Sequence, residues 1–274
     1  MFTFLHDLKF AARQLIRHGG YTIISILTLA LGLGANAAIF SVVNAFLLKP
    51  LPYANPTQLV QVWGTTKGGG LGTASIPDWT DWRQQANLFQ DFAIYQSRSF
   101  NLDSGANPEH VSGREVSGNF FDVMGTRPTL GRTFAPGEDT AGRQQVAVLS
   151  DALWRRLGAN PAIGGTKISL NDQPYTVIGV MPPNFKFPSA TAEVWAPLVP
   201  DPKFAVSRGN NQYFCVARMK TGVKMESAQS QMTTISARIS KQYPDSNANR
   251  SVVLVSLQRQ LAGPVRQSLL VLLA

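Results

Sequence analysis

Side chains able to do chemistry are few in this 274-residue chain, and their spacing suits no familiar reaction. Of its three histidines, His6 and His18 precede a long apolar run, which leaves His110 alone in the body of the sequence. One imidazole without a local Ser or Asp signature does not make a nucleophile–base pair. Neither HExxH nor CxxC is present to hold zinc. Gly68-Gly69-Gly70-Leu71-Gly72 has the composition of a phosphate loop, but no Gly-Lys-Ser/Thr follows and no apolar helix emerges from it, so it reads as a flexible loop. The acidic pairs Asp78/Asp81 and Glu138/Asp139 sit at a helix start and in a loop, contexts that assign neither a metal nor a general acid. The single cysteine, Cys215, rules out an intrachain disulfide framework and reads as a small core residue within the apolar run Tyr213–Ala217. No catalytic, cofactor-binding or metal-ligating residue is nominated, no cofactor is expected, and no ATPase or hydrolase motif is visible.

The elements that would position any site alternate short strands with short helices. Strand patterns occur at Leu59–Trp63, Glu109–Val116, Gln145–Leu149, Lys167–Leu170, Tyr175–Met181, Val194–Pro197, Tyr213–Met219 and Val252–Leu257. Asn171-Asp172 is hairpin chemistry. Ser75-Ile76-Pro77-Asp78 fits a capping box that opens a helix through Gln85, with Trp79 and Trp82 on one face and Phe89 and Phe92 following as core anchors. Asn119–Met124 and Asp151–Leu157 read as short helices ending at Gly125 and Gly158. Lys224–Tyr243 is amphipathic, carrying Met225, Ala228, Met232, Ile235 and Ile239. The pattern is α+β, with a helix and strands near each end able to pair across an insertion.

Ahead of these elements, Gly19–Leu48 carries no charge and is long enough to cross a bilayer as a helix. A cleaved signal peptide is the rival reading, since a basic lead-in, the apolar stretch Ile23–Leu33 and Ala35-Asn36-Ala37 resemble its three regions. Apolar character resumes at once in AAIFSVVNAFLL, where a mature N-terminus would turn polar. Lys9, Arg13 and Arg17 precede the run, while only Lys49 and Lys67 follow shortly after, which places the N-terminus in the cytoplasm and the bulk outside. Leu5, Leu8, Ala12, Leu15 and Ile16 recur at helical spacing, so Phe2–Arg17 can lie in the headgroup layer as an amphipathic helix. Ala30, Gly34 and Ala38 form a small-xxx-small series. After Gly263 the sequence Ser268–Ala274 is apolar again and too short to span, as expected of a truncated second membrane helix. The formal net charge of +9 is scattered, with no Arg/Lys block interleaved with aromatics, so solvated surface charge fits better than nucleic-acid binding.

Several blocks carry a family resemblance. DLKFAARQL at Asp7–Leu15 and TLALGLGANAAIFSVVNAFLLKPLPY at Thr28–Tyr53 resemble the N-terminus of MacB/FtsX-type ABC transporter permeases, in particular the duplicated acidobacterial-type permeases without a fused ATPase. The resemblance continues, in the family's order, through SIPDWTDW at Ser75–Trp82, VSGNFFDVMG at Val116–Gly125, LGRTF at Leu130–Phe134, Val146–Leu149 with Trp154, and YTVIGVMPP at Tyr175–Pro183.

The resemblance implies an α+β extracytoplasmic domain, porter-like with an inserted second lobe, tethered by an N-terminal transmembrane helix in the cell inner membrane. Its expected organisation is 1–18 cytoplasmic or interfacial helix, 19–48 first span, 49–263 MacB-like periplasmic core domain and 264–274 start of a second span. The porter-like halves would be 59–85 and 213–257, with the lobe at roughly 90–210. Its implied partners are the lipid bilayer, a separate cytoplasmic ABC ATPase subunit, and a second permease half or homodimer. Its implied function is transmission of ATP-driven motion to the outer domain for export or extraction of a substrate. The alternative is a membrane-anchored extracytoplasmic binding or sensor domain without transport. A soluble secreted enzyme is a more distant third.

Overall fold

The computed structural model describes residues 6, 10, 13–15, 17–43, 51–65, 68–103, 108–189, 191–261 and 263. The chain divides into two compact units, Met1–Pro50 with Leu261–Ala274, and Leu51–Gln260.

In the first unit Gly19–Val43 forms one 25-residue helix, α1, without a charged residue. Ile23, Ile24, Leu27, Leu29, Leu31 and Leu33 are all exposed on it. Side chains are described without a break only for 19–34 of this helix, and among the described residues no helix is long and apolar enough to cross a membrane. The span expected over 19–48 is therefore not established by the fold, and its last residues, 44–48, lie outside the described residues. So do most of the expected amphipathic lead-in and all of 264–274.

The second unit is α+β. In chain order its elements are Leu59–Thr65 (β1), Leu71–Gly72 (β2), Ile76–Gln85 (α2), Phe89–Asp103 (β3), Pro108–Val116 (β4), Phe120–Met124 (α3), Leu130–Gly131 (β5) and Val146–Leu149 (β6). There follow Asp151–Arg156 (α4), Lys167–Leu170 (β7), Gln173–Val180 (β8), Val194–Pro197 (β9), Pro202–Ala205 (α5), Phe214–Met219 (β10), Met225–Gln242 (α6), Pro244–Asn247 (α7) and Val252–Ser256 (β11). Local chemistry sets the boundaries. The Ser75 hydroxyl accepts from the Asp78 N–H and caps α2, and Ser150 caps α4 through the Leu153 N–H. Asn171 and Asp172 both take positive φ, 50° and 61°, as a two-residue hairpin turn between β7 and β8 requires.

Two cores share one sheet. Strands β11-β1-β10-β3 lie side by side, all antiparallel. α2 and α6 pack their apolar residues Trp82, Ala228, Met232, Ile235 and Ile239 against Val62, Ile94, Cys215 and Leu254. Beyond Tyr95, β3 leaves β10 and pairs with β4 instead. From there the pairings run β3–β4–β9–β6–β8–β7 and return to β3, closing a small barrel. Closure leaves those strands no free edge. Phe100, Leu102, Val111, Leu149, Val177 and Val194 fill it, with Leu153 of α4 in the same cluster. Gly113 on β4 leaves room for the Phe100 ring, which a Cβ there would strike.

The fifteen-residue β3 is the largest departure from the sequence pattern, which marks only Phe89 and Phe92 there. Its first half is buried on both faces and its second half on one, so no single period runs through it.

Candidate functional site

The groups first considered for chemistry are dispersed. His110 stands exposed on β4 with its Nδ1 3.1 Å from Asn101 Oδ1. Cys215 is fully buried in the α2/α6 core, and burial pushes its thiol far above the usual range. Gly72 of the glycine-rich loop pairs with Gly64 at the end of β1. Glu138 takes both ends of the Arg132 guanidinium, at 2.6 and 2.8 Å, and also the Ala135 N–H. Asp139 caps the Gly118 N–H. Among the described residues no His/Cys/Asp/Glu group could hold a metal ion.

Asp78 and Asp81 do come together, around a third residue that the sequence did not single out. Arg208, in the loop after α5, reaches Asp78 at 2.8 Å and Asp81 at 2.7 Å, and lies 3.7 Å over the Tyr243 ring. Asn247 of α7 donates to both oxygens of buried Asp78. The cluster pins α2, the 201–212 loop and α7 to one another, and every member is satisfied by its neighbours.

The feature with mechanical content lies at the opposite end of the same strands. In the β1–β11 register Val60 faces Ser256, so the chain arriving through Leu51–Gln58 and the chain departing after Ser256 stand side by side at one end of the sheet. Both are fastened there. Arg218, 5% exposed at the end of β10, sits opposite Leu59. Its Nε donates to the Val123 carbonyl at 2.7 Å and its Nη1 to the Ala54 carbonyl at 2.8 Å, with Asn55 O and Gln58 Oε1 at 3.4 and 3.3 Å. A planar guanidinium can hold separated carbonyls in this way, which a point-like ammonium cannot. Gly125 ends α3 with φ of 63°, and a Cβ there would crowd Arg218 and Ala54. Just after β11, Leu257 is buried and Gln260 accepts from the Trp63 indole at 3.1 Å.

An aromatic layer joins the two fastenings. Tyr53 meets Phe185 edge-on at 5.7 Å, and Phe185 contacts Phe121 and Trp195. Phe121 meets Phe120, and from there the rings continue through Phe187, Tyr95 and Phe214 to Trp63. Such pairs contribute about 0.5–1.5 kcal/mol each beyond their burial and resist sliding past one another. Tyr53 is well enough buried that desolvation pushes its hydroxyl up to about 12, against the opposing effect of the Lys186 N–H. The arrangement is a closely packed, hydrogen-bonded junction between the arriving and departing segments and a domain with two cores. Arg218 escaped the sequence reading because it lies inside the apolar strand Tyr213–Met219, where nothing local distinguishes it.

Comparison with known proteins agrees with this architecture. Residues 22–235 match the family described as MacB-like periplasmic core domain. The fold is similar to the periplasmic region of MacB from Actinobacillus actinomycetemcomitans (TM-score 0.54, 15% identity, 78% of this chain and 92% of that one). It is also similar to a domain of a putative permease protein from Porphyromonas gingivalis (0.56, 14%, 74% and 92%). A third similar structure is the extracellular domain of the noncanonic ABC-type transporter YknZ from Gram-positive bacteria (0.52, 13%, 71% and 99%). No curated protein matches the chain significantly.

Proposed function

Because the chain belongs to the MacB-like periplasmic core domain family, we propose that it supplies the first membrane helix and the extracytoplasmic domain of an ABC transporter permease subunit. In this reading residues 1–18 are cytoplasmic or interfacial, 19–48 cross the inner membrane and 49–263 lie outside, with 264–274 beginning a second span. A separate ABC ATPase hydrolyses ATP in the cytoplasm, this chain performs no hydrolysis, and a second permease half or a second copy completes the transporter. Motion of the membrane helices passes to the outer domain and works on a substrate there.

The observation that carries the reading is the placement of the two chain ends on paired residues Val60 and Ser256, each locked to the domain. Two tethers leaving one end of a sheet side by side can hang the domain between adjacent spans. Arg218 and the aromatic layer fasten the arriving and departing segments to the outer domain. The tether itself is supported by the sequence, in which Gly19–Leu48 runs without a charge. On α1, Ile23, Ile24, Leu27, Leu29, Leu31 and Leu33 are exposed.

Alkaline phosphatase fused after Gly209 should be active, and an inactive fusion sinks the topology. A membrane-anchored sensor would give the same result, so the decisive measurement is purification of the full reading frame from its native membrane. The permease reading expects a co-purifying, vanadate-sensitive ATPase; its absence under conditions that retain other transporter complexes favours the sensor.

A further inference from the structure

The barrel carries a cleft that shares one residue, Phe185, with the aromatic layer of the junction. Its volume is about 400 Å³, and it lies just beyond the carboxyl ends of the parallel strands β6 and β8, bounded also by the outer face of β4. Ser99 and Ser112 face each other across β3 and β4 and line it, together with Thr191 and Lys186.

The charges there do not balance. The two carboxylates on the rim are already engaged, Asp151 by Arg155 and Glu193 by Arg156, each at 2.7 Å, and Arg156 also holds Glu109 at 2.7 Å. Among the described residues Lys186 forms no ion pair. Behind Ser112 stands Arg114, half-buried, bonded only to neutral groups: the Gly113 carbonyl and the hydroxyls of Ser112 and Ser189. Its Nε has no partner among the described residues. Burial works against the charge of this guanidinium, and an anion placed on the hydroxyls in front of it would relieve that cost.

The geometry points to this cleft as a binding site for a small soluble oxyanion, a phosphate- or carboxylate-bearing molecule held by Lys186 and by the hydroxyls of Ser112 and Thr191, with Arg114 supplying charge from behind. Such donors form the shorter, stronger bonds typical of ionised acceptors. The site is also placed to be felt at the junction, since Phe185 beside Lys186 is the ring that Tyr53 packs against. The inference does not rest on the permease reading and can fail without it.

Equilibrium dialysis of the full chain in neutral detergent micelles, against labelled inorganic phosphate and separately against citrate at low ionic strength, tests it. We expect saturable binding of at least one of them, near one per chain, weakened about tenfold or more in Lys186→Ala. Lys241→Ala, exposed on α6, should bind as the parent does. Arg114→Gln should weaken binding too, read only if its thermal unfolding is intact; the exposed Lys186 variant keeps the test decisive otherwise. The proposal is overturned if neither anion binds saturably up to about 10 mM. It is also overturned if Lys186→Ala binds as the parent does, or if chloride competes equally. Binding seen only with phosphatidylglycerol vesicles would assign the charge to a lipid headgroup and likewise overturn it.

Discussion

Replacing Arg218 by methionine isolates the junction, because methionine keeps the apolar stem and removes the fork. The parent side chain makes two short charge-assisted bonds, to Val123 O at 2.7 Å and Ala54 O at 2.8 Å. Hydrogen bonds to charged groups contribute about 1.5–3 kcal/mol each, and an orphaned buried acceptor costs about 1–3 kcal/mol. Against this, burial disfavours the guanidinium, and its Nη2 has no partner among the described residues, so removing the charge recovers part of the loss. A net destabilisation of about 2–4 kcal/mol follows, which for a unit of this size corresponds to a fall in Tm of roughly 5–15 °C. Thermal unfolding followed by near-UV circular dichroism gives the magnitude, and hydrogen exchange gives the location. Protection should drop at the Gln58 amide, bonded to Asn55 O, and at the Gly125 and Thr126 amides at the end of α3, before it drops in the paired strands. Arg218→Lys should recover little, since one ammonium cannot serve both carbonyls. A Tm change under about 2 °C with unaltered exchange at Gln58 would refute the claim that this residue fastens the arriving chain.

Three further outcomes test other parts of the structure. Arg132, helped by the Ala135 N–H, holds the Glu138 carboxyl below its ordinary value of 4.5. Its contribution to stability is therefore full above that ordinary value, which the unfolded chain takes, and is lost as pH falls through the lower native one, so Glu138→Gln should flatten the acid limb of a urea-midpoint profile between about pH 5 and 3. Cys215, with its thiol pushed up by burial, should resist maleimide in the native protein and react fully in denaturant; rapid native labelling would contradict its place in the core. Gly179→Ala would drive a Cβ into the Arg132 and Leu130 carbonyl oxygens, backbone atoms that cannot swing away, and should lower stability by about 1–3 kcal/mol or more in denaturant unfolding.

The local chemistry of this chain is legible residue by residue. Ser75 and Ser150 cap the helices they precede, Asn171-Asp172 turns the hairpin, Gly125 and Gly158 take positive φ at helix ends, and the stripe Ala228–Met232–Ile235–Ile239 faces a core. Those features depend on neighbours within a turn or two, so the residue types alone announce them, as do the α+β class and the family blocks. What the tertiary structure decided depends on partners far apart in sequence. The β7–β3 pairing joins Ser169 to Asp103 and closes the barrel. The Arg208 bridge reaches back 130 residues to Asp78, and Arg218 spans 164 to Ala54. An arginine in an apolar strand has the same local signature whether it points to water or to two carbonyls. Only the folded chain brings those carbonyls to it, because the strand order, which no period of the sequence encodes, determines which ends of the chain lie side by side.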